Sequence, residues 1–235
     1  MDRVVLWDFD GTLAHRPGMW RGCLIETLDE HLPGHLVDSE ELRPFLRHGF
    51  PWHRPEVAHL ELCEPDAWWQ HVEGLLAAAY EGVGIDRGGA RRLARLARER
   101  YVDPSCRWTL YPDTIPALER LRAQGWRHVV LSNHVPELPE LVAALGLSPF
   151  LDLVLTSAAT GFEKPNPRAF ELALRRCGAP SEVWMVGDNP VADVAGAEAI
   201  GIPAVLVRVE GIVAARRARD LDEAAAIIER SSRPR

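Results

Sequence analysis

Asp8 and Asp10 stand two residues apart in Asp8-Phe9-Asp10-Gly11-Thr12, directly after the apolar run Val4 to Trp7. In extended backbone, residues i and i+2 project to the same side, so both carboxylates converge at a strand end. Gly11 then lets the chain turn away sharply. Two acids this close repel, and one is hard to keep ionised without a cation nearby. A hard divalent cation with oxygen ligands, most naturally Mg2+, resolves that conflict. The plainer alternative is a strand followed by an Asp-Gly turn; paired acids at a strand end weigh against it.

Three further groups have residue types that suit the same chemistry. Gly187-Asp188-Asn189, followed by Asp193, again ends an apolar run in acid. Asp188 joins the first pair if the two strands are neighbours; otherwise Asp193 is only a favourable acid at a helix start. Lys164 lies in Glu163-Lys164-Pro165-Asn166-Pro167, where proline restricts both itself and its predecessor. Such a lysine can neutralise phosphate or carboxylate charge, although an arbitrary lysine beside proline is usually exposed. Ser132-Asn133-His134 follows a third apolar run, and a strand-end serine offers a hydroxyl and an N–H to an anionic oxygen. Serine and asparagine are also ordinary turn residues.

These groups need a scaffold that brings strand ends together. Apolar runs at Val4–Trp7, His128–Leu131, Leu151–Leu155, Val183–Val186 and Ala204–Val207 read as buried strands. Helical spacing follows over Thr114–Gln124, Pro136–Leu145, Pro167–Arg176 and Val191–Ile200, each closing near a glycine, with a last amphipathic helix over Asp222–Arg230. Alternating strands and helices predict a doubly wound α/β fold with a parallel sheet, whose ligands sit at the carboxyl ends of the strands. Met19 to Tyr101 breaks the alternation. It reads as an all-helical insert after the first strand, with helices over Trp20–Leu32, Ser39–Arg47, Asp66–Tyr80 and Arg87–Glu99.

The 235 residues carry a net charge of -7. An acidic chain lacks the basic footprint of a nucleic-acid partner. The arginines at 91, 92, 95 and 98 read as a solvated helix face. Cys23, Cys63, Cys106 and Cys177 show no metal spacing and no disulfide framework, which fits a reduced compartment. No run reaches the length of a spanning helix, and no signal segment is evident, so the expected location is the cytoplasm, away from membranes. The polar tail from Arg230 to Arg235 is expected to fray.

The order Asp-x-Asp-Gly-Thr, strand-end Ser, Lys-Pro, Gly-Asp-x4-Asp resembles the haloacid dehalogenase superfamily, in its phosphatase branch with a helical cap. The resemblance covers roughly Val4–Leu13 and Leu110–Val207. It implies a Rossmann-like core over residues 1–15 and 105–235 and a helical cap over 16–104. It further implies an aspartyl-phosphate formed on Asp8, with Asp10 as general acid and base. Ser132, Asn133, Lys164 and Thr12 would serve the phosphate; Thr12 could equally brace Asp10 or the turn. Asp8, Asp188 and the carbonyl of Asp10 would hold Mg2+, with Asn189 and Asp193 in support. The partner implied is a small phosphorylated metabolite.

Substrate selection is expected from the cap. His15, Arg16, Trp20 and Arg54 are candidates, the last from a loop bounded by Pro51 and Pro55. Trp20, Trp68 and Trp69 more often pack a cap core. A dehalogenase is disfavoured because such relatives lack the second acid. A mutase or a phosphonate-cleaving relative is disfavoured because the cap contains no lysine. A phosphotransferase, or a binding protein on the same fold, remains the alternative.

Overall fold

The computed structural model describes residues 2–103, 105 and 107–232. Its strands are β1 (Arg3–Trp7), β2 (Ala14–His15), β3 (Thr109–Leu110), β4 (Trp126–Ser132), β5 (Leu153–Thr156), β6 (Glu182–Gly187), β7 (Ala204–Val207) and β8 (Arg217–Ala218). Six form one parallel sheet in the order β5-β4-β1-β6-β7-β8. β1 lies between β4 and β6, so the ends carrying Asp8, Ser132 and Asp188 are adjacent.

Both faces of β1 are buried, as a parallel sheet between helix layers requires. Val4 and Leu6 enter one apolar cluster with Phe170 and Ala197, while Val5 and Trp7 enter the other with Leu118, Leu121 and Ile228. Each such side chain contributes about 1.5–3 kcal/mol by leaving water. A polar pair sits within the second cluster. Trp7 Nε1 donates to His128 Nδ1 at 3.1 Å, so His128 Nε2 carries the proton and donates to the Leu118 carbonyl at 3.0 Å. Burial lowers the His128 pKa to about 4.

The helices are α1 (Met19–His31), α2 (Ser39–Leu42), α3 (Pro65–Gly82), α4 (Arg87–Val102), α5 (Thr114–Arg122), α6 (Leu138–Ala144), α7 (Ser157–Thr160), α8 (Pro167–Arg176), α9 (Gly196–Glu198) and α10 (Leu221–Ser231). The stretch from α1 to α4 is helical, with no strand among its described residues. Trp68 and Trp69 are buried inside it. Asp38 and Asp86 cap α2 and α4 through their side chains.

Several boundaries differ from the sequence reading. The helix expected over Ser39–Arg47 stops at Leu42 and continues as a 3-10 turn, because Pro44 has no N–H to donate. The helix expected over Val191–Ile200 begins as a π turn, Pro190–Ala195, before the short α9. In that turn the Asp193 side chain accepts from Asn189 N at 2.9 Å and reaches Lys164. Arg230 and Ser231, expected to fray, belong to α10; residues 233–235 and Cys106 lie outside the described residues. The ladder of β2 against β3 was not expected. It pairs Ala14 with Leu110 and His15 with Thr109, where the chain enters and leaves the helical segment.

Candidate active site

The carboxylates converge as the strand-end logic requires. Asp8 follows β1 directly, and its N–H continues the pairing by donating to Val186 O at 2.9 Å. Asp8 Oδ1 accepts from Ser132 Oγ at 2.7 Å and from Lys164 Nζ at 2.8 Å. Lys164 also reaches Asp193 Oδ1 at 2.5 Å. It is the only lysine in the sequence and is 2% exposed. Its burial alone would lower its pKa, but the Asp193 and Asp8 carboxylates outweigh that and raise it.

Asn133 holds this lysine by its backbone: its Oδ1 accepts from Lys164 N at 2.7 Å, and its Nδ2 donates to Lys164 O at 2.9 Å. The Asn133 side chain is therefore engaged with Lys164 rather than free for a phosphate. Asn189 caps the π turn, accepting from Val191 N and Ala192 N. It lines the same wall as Asp188 and Asp193.

Asp10 faces the same cavity from the far side of the turn. Burial, then the charges of Asp8 and Asp188, push its pKa well above the usual carboxylate range. Burial, then Asp8 and Asp193, bring Asp188 to about 7. Burial raises Asp193 to about 6, with Lys164 opposing the rise. Gly11 makes the turn possible twice over. Its φ is +75°, and a Cβ there would lie 2.2 Å from Asp188 Oδ2.

Oxygens of Asp8, Asp188 and Asp193 lie within 4.8 Å of one another. The carboxylates of Asp8, Asp10, Asp188 and Asp193 share the wall with one ammonium, Lys164. That excess of negative charge and the hard oxygen donors fit a divalent cation such as Mg2+. The carboxylate trio includes Asp193 where the sequence reading had Asp10, whose expected contribution was its main-chain carbonyl.

The cavity above Asp8 has a volume of about 500 Å³. His15, Arg16 and Trp20 line it, as expected; Arg54 and Thr12 do not. Arg54 is exposed beside Glu56, because the 3-10 turn Pro51–His53 turns Trp52 to the cavity instead, stacked on Phe50 at 4.5 Å. Thr12 is fully buried beneath the turn, donating its N–H to Phe9 O at 3.3 Å, which leaves it a turn residue away from any phosphate. Arg16 is buried, and its charge is met by Glu26 at 2.5 Å. Trp20 both lines the cavity and stacks on Tyr101 at 3.7 Å.

Trp52 belongs to the loop expected to face the site, whereas Tyr101 and His134 are wall residues to which the sequence reading gave no role. Helical spacing gives an aromatic residue such as Tyr101 no mark beyond core packing. His134 sits in the quoted strand-end triplet but lacked a role. Its Nε2 is 3.6 Å from Asp10 Oδ2, neither ring nitrogen has a hydrogen-bond partner, and Phe9, Tyr101 and Trp108 surround the ring. Burial lowers its pKa to about 3, against an opposing pull from Asp8, so the ring is neutral.

Known proteins share this arrangement. The family model for haloacid dehalogenase-like hydrolase matches residues 3–201. A phosphoserine phosphatase from Thermus thermophilus is 41% identical over 172 residues, 67% of this chain and 68% of that protein. A glyceraldehyde 3-phosphate phosphatase from Methanothermobacter thermautotrophicus is 42% identical over 102 residues, 43% of this chain and 45% of that protein. The crystal structure of a 2-haloacid dehalogenase from Pseudomonas syringae superposes with a TM-score of 0.69 at 24% identity, covering 99% of this chain and 100% of the other, a likeness of fold. No helix among the described residues is long and apolar enough to cross a membrane. The breadth of the family match settles what the motif order implied: the chain is an enzyme of the haloacid dehalogenase-like hydrolase family.

Proposed function

We propose that the chain is a magnesium-dependent phosphatase acting on a small phosphate monoester, with Asp8 as nucleophile and Asp10 as general acid and base. The observation that carries this reading is Asp8 itself. Its carboxylate is fixed by Ser132 and Lys164 beside a second carboxyl whose surroundings favour the protonated form. The phosphatase names among the relatives support it.

In the first half-reaction an Asp8 oxygen bonds to phosphorus as the ester P–O bond breaks. The Asp10 proton passes to the departing oxygen. In the second, a water oxygen bonds to phosphorus, its proton passes to Asp10, and the Asp8–phosphorus bond breaks to release inorganic phosphate. Ser132 and Lys164 hold Asp8 and the phosphoryl oxygens in place. Asp8, Asp188 and the Asp10 carbonyl would hold Mg2+, with Asp193 in support, and the ion would neutralise charge on the transferring group. The helical segment, read as a cap over residues 16–104, would exclude water from the first half-reaction. Cys23, Cys63 and Cys177 form no disulfide with one another, which fits a reduced, cytoplasmic setting.

The test is phosphate release from an aryl phosphate and a metabolite panel, with Mg2+ and with chelator, for wild type and Asp8→Asn. Magnesium-dependent turnover lost in Asp8→Asn supports the reading. A folded protein that binds Mg2+ yet cleaves no ester refutes it and favours a binding protein or a phosphotransferase.

A further inference from the structure

The cavity wall contributed by the helical segment consists of Arg16, Met19, Trp20, Trp52 and Tyr101. The Arg16 guanidinium is held by Glu26, which also pairs with Arg107. The remaining four are neutral, and three are aromatic. The wall's carboxylates all come from the other side: Asp8, Asp10, Asp188 and Asp193. The first and last bind Lys164, Asp188 lies with them within 4.8 Å, and Asp10 is the proposed general acid. No wall carboxylate is left to receive an ammonium group on a leaving group. Glu26, outside the wall, is occupied by Arg16 and by Arg107 at 3.0 Å.

A second space adjoins this wall. A second cavity of about 440 Å³ shares Met19, Trp20 and Trp52 with the first. Its rim carries Arg21, Arg43 and Arg47 against a single acid, Glu40. Glu40 pairs with Arg21 and with Arg43 at 3.3 Å, whereas Arg47 is exposed and has no ion pair among the described residues. The half-buried Trp52 forms the boundary between the two spaces, with one ring face on Phe50. A molecule lying over Asp8 and long enough to pass Trp52 would meet, in order, the phosphate machinery, an aromatic wall and a basic rim.

Resting on the phosphatase reading, we infer that the substrate is the phosphate monoester of a flat, ring-bearing leaving group with a second anionic group at its far end. The ring lies against Trp52 and the Trp20–Tyr101 pair, and the distal anion meets Arg43 and Arg47. Esters with an ammonium group in the leaving group, phosphoserine included, are poor substrates. This separates the chain from the activity named for its Thermus thermophilus relative.

The experiment uses the full chain with Mg2+ and four esters: phenyl phosphate, 4-carboxyphenyl phosphate, 4-(aminomethyl)phenyl phosphate and phosphoserine. Wild type should favour the carboxylated over the aminomethyl ester by about tenfold or more in kcat/KM, with phosphoserine lower still. The double variant Arg43→Ala, Arg47→Ala, or high salt, should collapse that ratio towards one, since exposed charges act only over about a Debye length. Trp52→Ala should lower kcat/KM for phenyl phosphate by about tenfold, the order of one aromatic contact, and Trp52→Phe should restore most of it, which separates a lost ring from a misfolded loop. Equal use of the charged pair, good turnover of phosphoserine, or a ratio unmoved by the arginine variant overturns the inference while leaving the phosphatase intact. Absence of turnover on every ester overturns the phosphatase reading itself.

Discussion

Replacing Lys164 with methionine keeps the length of the side chain and deletes its charge. Two buried carboxylates then lose their ammonium: Asp8 at 2.8 Å and Asp193 at 2.5 Å. Removing one partner of a buried pair costs about 3–5 kcal/mol. Proton uptake sets a ceiling on that cost. A stranded carboxyl of ordinary pKa 3.8 can escape by protonating, at about 1.36 kcal/mol for each pH unit above that value, which is about 4 kcal/mol at pH 7 and under 2 kcal/mol at pH 5. Lys164→Met is therefore expected to destabilise the fold by about 3–4 kcal/mol at pH 7 and by about half as much or less at pH 5. Urea unfolding in chelator, which keeps cations from standing in for the ammonium, measures both. Adding Asp193→Asn should recover part of the loss at pH 7. A loss under about 1 kcal/mol, or one equal at both pH values, would refute the coupling.

Three further outcomes are expected. Glu163 is buried, and burial lifts its pKa to about 7, against Ser157 and Lys164, so the fold holds a proton that the unfolded chain releases near 4.5. Stability on its account is full below pH 4.5 and falls until pH 7, by up to about 3 kcal/mol; Glu163→Gln should raise Tm at pH 8 by several degrees and leave it nearly unchanged at pH 4.5, by calorimetry. Mg2+ at a hundredfold its Kd should add about 2.7 kcal/mol of stability, read as a rise in Tm that chelator removes and Asp188→Ala abolishes. His134→Phe should slow esters of poor leaving groups at least about tenfold more than a nitrophenyl ester, because proton donation from Asp10 matters only for the former; equal slowing would show that His134 serves packing alone.

The convergence of the carboxylates and Ser132 was legible because it follows from where strands end. Asp8, Ser132 and Asp188 each close an apolar run, and a parallel sheet places such ends side by side. Lys164 was legible through its proline neighbours, although nothing in its spacing showed that it would sit between Asp8 and Asp193. The errors have local causes. Arg54 and Trp52 are two residues apart in one loop, and the sense of a 3-10 turn decides which reaches the cavity. Thr12 has the chemistry of a phosphate ligand but is folded beneath its own turn. Tyr101 arrives from the last turn of α4, far along the chain from Asp8, and only the tertiary fold sets it beside His134. The β2–β3 ladder is two residues long on each side, too short to carry a period.

Among 27 basic side chains in this sequence, one is a lysine, and it is the buried Lys164. A guanidinium is larger and presents a rigid planar fork, whereas this site receives a compact ammonium between two carboxylate oxygens. The chain thus offers one side-chain amine to any acylating reagent, in a buried polar site. Acylation of that atom would remove the charge that orders Asp8, so a single covalent event and the state of the catalytic centre become one observable. Protection of the amine reports a closed and correctly assembled site, and its appearance reports opening there before any global probe of unfolding responds.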